Sequence, residues 1–200
     1  MADDQREVLT IGHSSHSMER FLELLRSVGV TAVVDVRSAP YSRHVPQFNY
    51  DSLKTALRGA GVAYVHLGKE LGGRPRDPSH YRSGVVDYEG IAATPVFRSG
   101  LQRLLNGTAT HHVALMCAEA DPLECHRCLL IARALAARQV PVRHVLPDGA
   151  TATQAEIEDE LLRRTHRSDD DLFLTHAERV AVAYREHATK VGFIDKDAAG

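Results

Sequence analysis

Apolar residues along this chain recur in alternating short runs and helical stripes. Val8, Leu9 and Ile11 make a short run closed by Gly12, and Ser17 then stands where it can cap a helix with an apolar face of Phe21, Leu24, Leu25 and Val28. Gly29 ends that helix, and Ala32 to Val36 follows as a β-branched run suited to a strand covered on both faces. Asp51 is the expected cap of a second helix through Leu53, Ala56 and Leu57. Val62, Tyr64 and His66 then alternate as a third strand. The order β, α, β, α, β predicts a parallel sheet with right-handed crossovers.

Leu67 to Gly90, rich in Gly, Pro, Arg and Tyr, reads as a long loop with little regular structure. Thr94 and Pro95 suit the cap and first position of a helix over Val96–Leu105, which Asn106-Gly107 ends. His112–Met116 is a fourth strand, Glu124–Arg138 a long amphipathic helix and Val140–Leu146 a fifth strand. Two capping boxes follow, Thr153 with Glu156 and Thr175 with Glu178, each ahead of an apolar stripe. The predicted fold is therefore α/β: a mostly parallel sheet of about five strands, helices on both faces, and C-terminal helices. Residues 1–150 form the expected α/β domain and 151–200 a C-terminal helical extension, whose last stripe is suited to docking or to self-association.

Composition changes this picture little. A chain of 200 residues can bury one substantial core. Its formal charge of −2 leaves any affinity for nucleic acid to a local patch rather than to bulk charge. Cys117, Cys125 and Cys128 lie too close together for the dispersed framework of a secreted disulfide scaffold, so a cytoplasmic location is expected. The segment Met1–Glu7 is polar and no later run approaches bilayer-spanning length, so no membrane role is expected.

In an open parallel sheet, ligands bind beyond the carboxyl ends of the strands, which directs attention to the residue after each strand. His13 and Ser14 follow the first strand; Asp35, Arg37, Ser42 and Arg43 end or follow the second; Cys117, Glu119, Cys125, His126 and Arg127 follow the fourth. Asp35 and Arg37 alternate and so face one side, where they pair with each other or position a ligand. Cys125, near a helix N-terminus and beside His126 and Arg127, suits a lowered thiol pKa, a nucleophile or an anion-binding turn. Cys125 and Cys128 have the spacing of a redox pair, although Cys128 falls on an apolar helical face and reads as core. Cys117, Cys125 and His126, with His13 or Glu119, also have donor types that suit zinc or iron, but no second Cys-x-x-Cys pair supports a metal and none is assigned. Arg74, Arg76, His80, Tyr81 and Arg82 give the long loop the composition of a phosphate- and base-binding surface.

Taken in order, Thr10-Ile-Gly-His-Ser14, Val34-Asp-Val-Arg-Ser38 with Pro40 and Ser42-Arg43, Leu71-Gly-Gly73, Cys117-Ala-Glu119 and Cys125-His-Arg127 resemble the domain-of-unknown-function family 488, over roughly Val8 to Leu146. The resemblance implies a compact α/β domain with these motifs lining one pocket, and it carries no reaction. Cys128 departs from the apolar residue usual after the Cys-His-Arg element.

The leading expectation is an enzyme of hydrolase or transferase type acting on a small anionic, nucleotide-like or nucleic-acid-derived ligand. His13, Asp35, Glu119, Cys125 and His126 are its candidate catalytic residues, and Ser14, Arg37, Ser42, Arg43, Cys117 and Arg127 its candidate ligand-binding residues. No cofactor is identified. Two alternatives stay open: a metal-binding or thiol redox-sensing module built on Cys117, Cys125 and His126, and a non-catalytic nucleic-acid adaptor.

Overall fold

A computed structural model describes residues 7–168 and 172–195. The main sheet has six strands: β1 (Val8–Gly12), β2 (Ala32–Asp35), β3 (Ala63–His66), β6 (Val113–Cys117), β7 (Val142–Val145) and β8 (Thr151–Thr153), the labels β4 and β5 belonging to a small hairpin, Tyr81–Arg82 with Val85–Val86. Its spatial order is β3-β2-β6-β1-β7-β8, with all neighbours parallel except the antiparallel edge pair β7 and β8. The central strand β6 is buried at every position, as a strand covered on both faces must be.

Period-two alternation sorts the strand side chains between two cores. Leu9, Ile11, Val33, Ala114 and Met116 meet helices α1 (Met18–Ser27) and α2 (Tyr50–Gly59) on one face. Val8, Val34, Val113 and Leu115 face the other, larger core, under α5 (Pro95–Gly107) and the later helices. Ser17 caps α1 by accepting the N–H of Arg20, and Thr94 caps α5 by accepting that of Phe97. The cap of α2 is Asn49, which leaves Asp51 in the first turn, where its charge still suits the helix dipole.

Three further expectations are revised. Residues 67–90 are not a structureless loop: they hold α3 (Gly68–Leu71), a 3₁₀ turn at Pro78–His80, the hairpin and the start of α4 (Tyr88–Ala92). Glu124–Arg138 is not one amphipathic helix. A 3₁₀ turn (Pro122–Glu124) leads to Cys125 in extended conformation, then a wide π-type turn over Arg127–Ala132 continues as α6 (Arg133–Ala136). All six residues of the π-type stretch are buried, so it has no polar face to set a 3.6-residue rhythm. The sheet also does not end before residue 150, because β8 adds an edge strand.

Both capping boxes form, starting α7 (Gln154–Arg164) and α8 (His176–Val191). Ile157, Leu161, Val180, Ala183 and Tyr184 from these helices are buried in the larger core, so the apolar stripe of α8 is used within its own chain. A buried polar chain ties them to the sheet: Thr10 donates to His144 Nδ1 (2.8 Å), His144 Nε2 donates to Gln154 (2.8 Å), and Gln154 reaches Tyr184 (2.5 Å). No helix among the described residues is long and apolar enough to cross a membrane.

Candidate functional site

Because β1, β2 and β6 are adjacent and parallel, their carboxyl ends deliver His13, Asp35, Arg37 and Cys117 to one edge. Two groups of side chains form there. The first is a buried ion-pair network. Arg37 donates from Nε and Nη2 to the two oxygens of Asp35 (2.9 and 2.7 Å), from Nη2 to the Phe48 carbonyl (2.9 Å) and from Nη1 to His13 Nε2 (3.1 Å). Tyr64 donates its hydroxyl to the same carboxylate (2.9 Å). His13 Nδ1 donates to the Ser14 carbonyl, which fixes the neutral tautomer whose Nε2 accepts from Arg37, and its ring stacks on Phe48 with centroids 4.3 Å apart. Burial, aided by the Arg37 charge, lowers its pKa to about 4. This network has the bidentate geometry of a rigid scaffold, and it does not use the second Nη1 hydrogen of Arg37.

The second group is sulfur-rich. Cys117, at the end of β6, donates its S–H to Glu119 (2.9 Å) and lies 3.6 Å from His126 Nδ1. Cys125 Sγ lies 3.8 Å from the same nitrogen and accepts the backbone N–H of Arg127 (3.4 Å). His126 Nε2 donates to the Val36 carbonyl (3.0 Å), so Nδ1 is turned toward both sulfurs. Both thiols are nearly inaccessible, at 3% and 2% exposure. Burial pushes the Cys117 thiol well up, reinforced by Cys125 and Glu119. For Cys125 burial acts in the same sense but is outweighed by the Cys117 hydrogen bond and the charges of Arg127 and His126, which hold it well below the ordinary thiol value.

Backbone close approach makes this cluster possible. A Cβ on Gly12 would lie 1.8 Å from the Glu119 carbonyl oxygen, and one on Gly73 would lie 2.6–2.9 Å from three atoms of His126. Gly73 therefore lies close against the imidazole, while Gly72 packs against the Gly68 carbonyl and the Ser38 hydroxyl. Arg127 is fully buried, and its guanidinium clamps the loop by donating to the carbonyls of Glu119 (2.6 Å) and Ala120 (2.9 Å). Arg164 of α7 holds the same loop through Asp121 (2.8 Å), and His187 of α8 donates to the Leu123 carbonyl (3.1 Å).

A cavity of about 280 Å³ opens over the sulfur cluster. Arg37, Cys117, Glu119 and His126 line it, together with Ser38, Arg74, Tyr88, Glu124, Val191 and Phe193. Cys125 lies behind this floor, as do His13, Asp35 and the clamp Arg127, none of which lines the cavity. Ser42 and Arg43 sit away from it in the loop after β2, where Ser42 accepts from His44 N–H and Arg43 is exposed. Ser14 takes a left-handed backbone conformation (φ 48°) at the end of β1 and is likewise outside the lining. Sequence reasoning did not single out Tyr88, Glu124, Val191 or Phe193 as site residues. Among the lining residues outside the candidate set, Arg74, following the glycine pair in a cationic loop, and Ser38, at the end of the Val34–Ser38 motif, carried a signal. Of the rest of that loop, Tyr81 is bonded to the Pro75 carbonyl (2.7 Å) and Arg82 to Asp87 (2.6 Å).

A family model described as Domain of unknown function DUF488 matches residues 17–134. The matched stretch includes Asp35, Arg37, Cys117, Glu119, Cys125 and His126, and stops short of α7 and α8. No curated protein matches the chain, and no solved structure does.

Proposed function

The chain belongs to the DUF488 family, and on that premise we propose that it is an enzyme that binds a small ligand bearing a phosphate or carboxylate and reacts it over the Cys117–Glu119–His126 floor. The observation that supports this reading best is convergence. Groups from β2, the turn after α3, α4 and β6, and the segment after α8 all meet around one cavity, with proton-transfer and sulfur chemistry at its base and two arginines in its wall. Arg74 and the remaining hydrogen of Arg37 face the anionic group. Tyr88 and Phe193 supply flat apolar surface for the body of a nucleotide-like ligand. Glu119, a carboxylate at the cavity surface, accepts and returns the proton in a hydrolase- or transferase-type step. His13 and Asp35 act behind it, holding Arg37 in place.

Calorimetric titration with adenosine monophosphate, and with inorganic phosphate as the minimal anion, tests the reading. Arg74→Ala should weaken binding about tenfold, the lower range for a charge-assisted hydrogen bond. Glu119→Gln should spare binding, since its role lies in the reaction. If neither probe binds, or if Arg74→Ala binds them as the unaltered protein does, the reading fails.

A further inference from the structure

We propose that Cys117, Cys125 and His126 are the ligands of a divalent metal ion of the zinc class, with a fourth position turned toward the cavity beside Glu119. The catalytic use of that ion rests on the enzyme reading above; its binding rests on geometry alone. The three donor atoms lie within 4.8 Å of one another, and the sulfur-to-Nδ1 separations are 3.6 and 3.8 Å. Around a tetrahedral zinc ion with Zn–S of about 2.3 Å and Zn–N of about 2.0 Å, a sulfur and a nitrogen stand about 3.6 Å apart. Both sulfur-to-nitrogen separations are close to those of a shared tetrahedral ion, and the third side of the triangle is no longer than 4.8 Å.

The surroundings agree with the donors. His126 spends its Nε2 hydrogen on the Val36 carbonyl, which aims the Nδ1 lone pair at the space between the sulfurs, the outer-shell arrangement characteristic of metal-bound histidine. Gly73 packs on the ring and holds its plane. The Arg127 N–H points at Cys125 Sγ and stabilises negative charge there. Two thiolates neutralise a divalent ion, so any thiol proton still present leaves to solvent on binding.

Accessibility separates a ligand role from a nucleophilic one. Cys125 is 2% exposed and does not line the cavity, so a substrate cannot reach its sulfur, whereas a metal ion needs only that the sulfur face the other two donors. Cys117, His126 and Glu119 do line it, which leaves the cavity side of the triangle for a water or a substrate atom. There the ion would polarise a bound water and Glu119 would take its proton, the division of labour in hydrolytic zinc centres with an open position. Cys128, fully buried in the larger core, stands apart from the set.

The test is cobalt titration of the full chain after chelation and reduction under anaerobic conditions. One equivalent of Co²⁺ should produce a thiolate-to-metal charge-transfer band with the intense visible absorption of a tetrahedral site, and Zn²⁺ should abolish both. Cys117→Ser and Cys125→Ser should each lose most of the charge-transfer intensity, while Cys128→Ser keeps it. Absence of the band, or a band that the first two variants leave intact, overturns the proposal. Because serine at a buried position can itself unfold the chain, the unaltered protein supplies a second reading: Tm should rise by several degrees with zinc over chelator, and an unmoved Tm counts against the site. A stripped protein that binds adenosine monophosphate in an Arg74-dependent way but takes up no metal defeats the metal site alone. A metal-loaded protein that binds neither probe defeats the enzyme reading alone.

Discussion

Single residues in this protein are defined by how thoroughly they are bonded. His144 is the plainest case: it is buried, with both ring nitrogens engaged by Thr10 and Gln154, and burial lowers its pKa from 6.5 to about 4. The folded state therefore keeps the ring neutral in a range where the unfolded chain protonates it. Its contribution is complete above about pH 6.5, shrinks as pH falls and is gone below about 4, a swing of about 3 kcal/mol. Urea denaturation across that range should show stability falling with pH, and His144→Gln should show a decline shallower by about that amount. An identical slope in the variant would mean that His144 takes up its proton without unfolding. Residues of this kind were legible in part. His13, Asp35, Arg37, Cys117 and Glu119 stand at strand ends or in the turn that follows, where topology directs attention, and His126 is found by its place beside Cys125 ahead of the next helical stretch. What the chain does not spell out is that Arg127 is spent on two backbone carbonyls while Arg74 faces the cavity, because charge and residue type are the same in both.

Elements are positioned by close backbone contact as much as by side-chain packing. Gly73 and Gly59 make a controlled comparison, since a Cβ at Gly73 would collide with the His126 ring whereas one at Gly59, in α2, meets nothing within 4 Å. Gly73→Ala should cost about 1–3 kcal/mol as overpacking. Gly59→Ala should instead be neutral or stabilise by up to about 1 kcal/mol, because the helix loses a glycine. Chemical denaturation of the two variants side by side checks this, and equal effects would show that the ring moves freely away from Gly73. The same contrast explains which elements could be read in advance. α1, α5, α7 and α8 have a polar face and a side-chain cap, so rhythm and cap agree. The stretch Arg127–Ala132 has neither, and its wide turns come from being enclosed on all sides, which no local pattern encodes. The hairpin of Tyr81–Arg82 and Val85–Val86 is two residues per strand, below the length at which alternation becomes visible.

At the scale of the whole molecule, the helices after β8 belong to the working structure. Val180, Ala183 and Tyr184 complete the larger core, His187 holds the turn before Cys125, and Val191 and Phe193 wall the cavity, with Arg74 stacked 4.7 Å from the Phe193 ring. A chain stopped after residue 168 should lose its cooperative thermal transition and bind a hydrophobic dye, since a large part of one core face would be open to water. A truncated protein that melts as sharply as the full one would make α8 a peripheral ornament. Sequence reading identified these helices by their capping boxes but not their part in the cavity, because that depends on which surface they dock against. Order of synthesis gives the same feature a temporal meaning. A ribosome delivers β1 to β6 and the sulfur cluster before Val191 and Phe193, so during synthesis the cavity stands open on the side that these two residues later close.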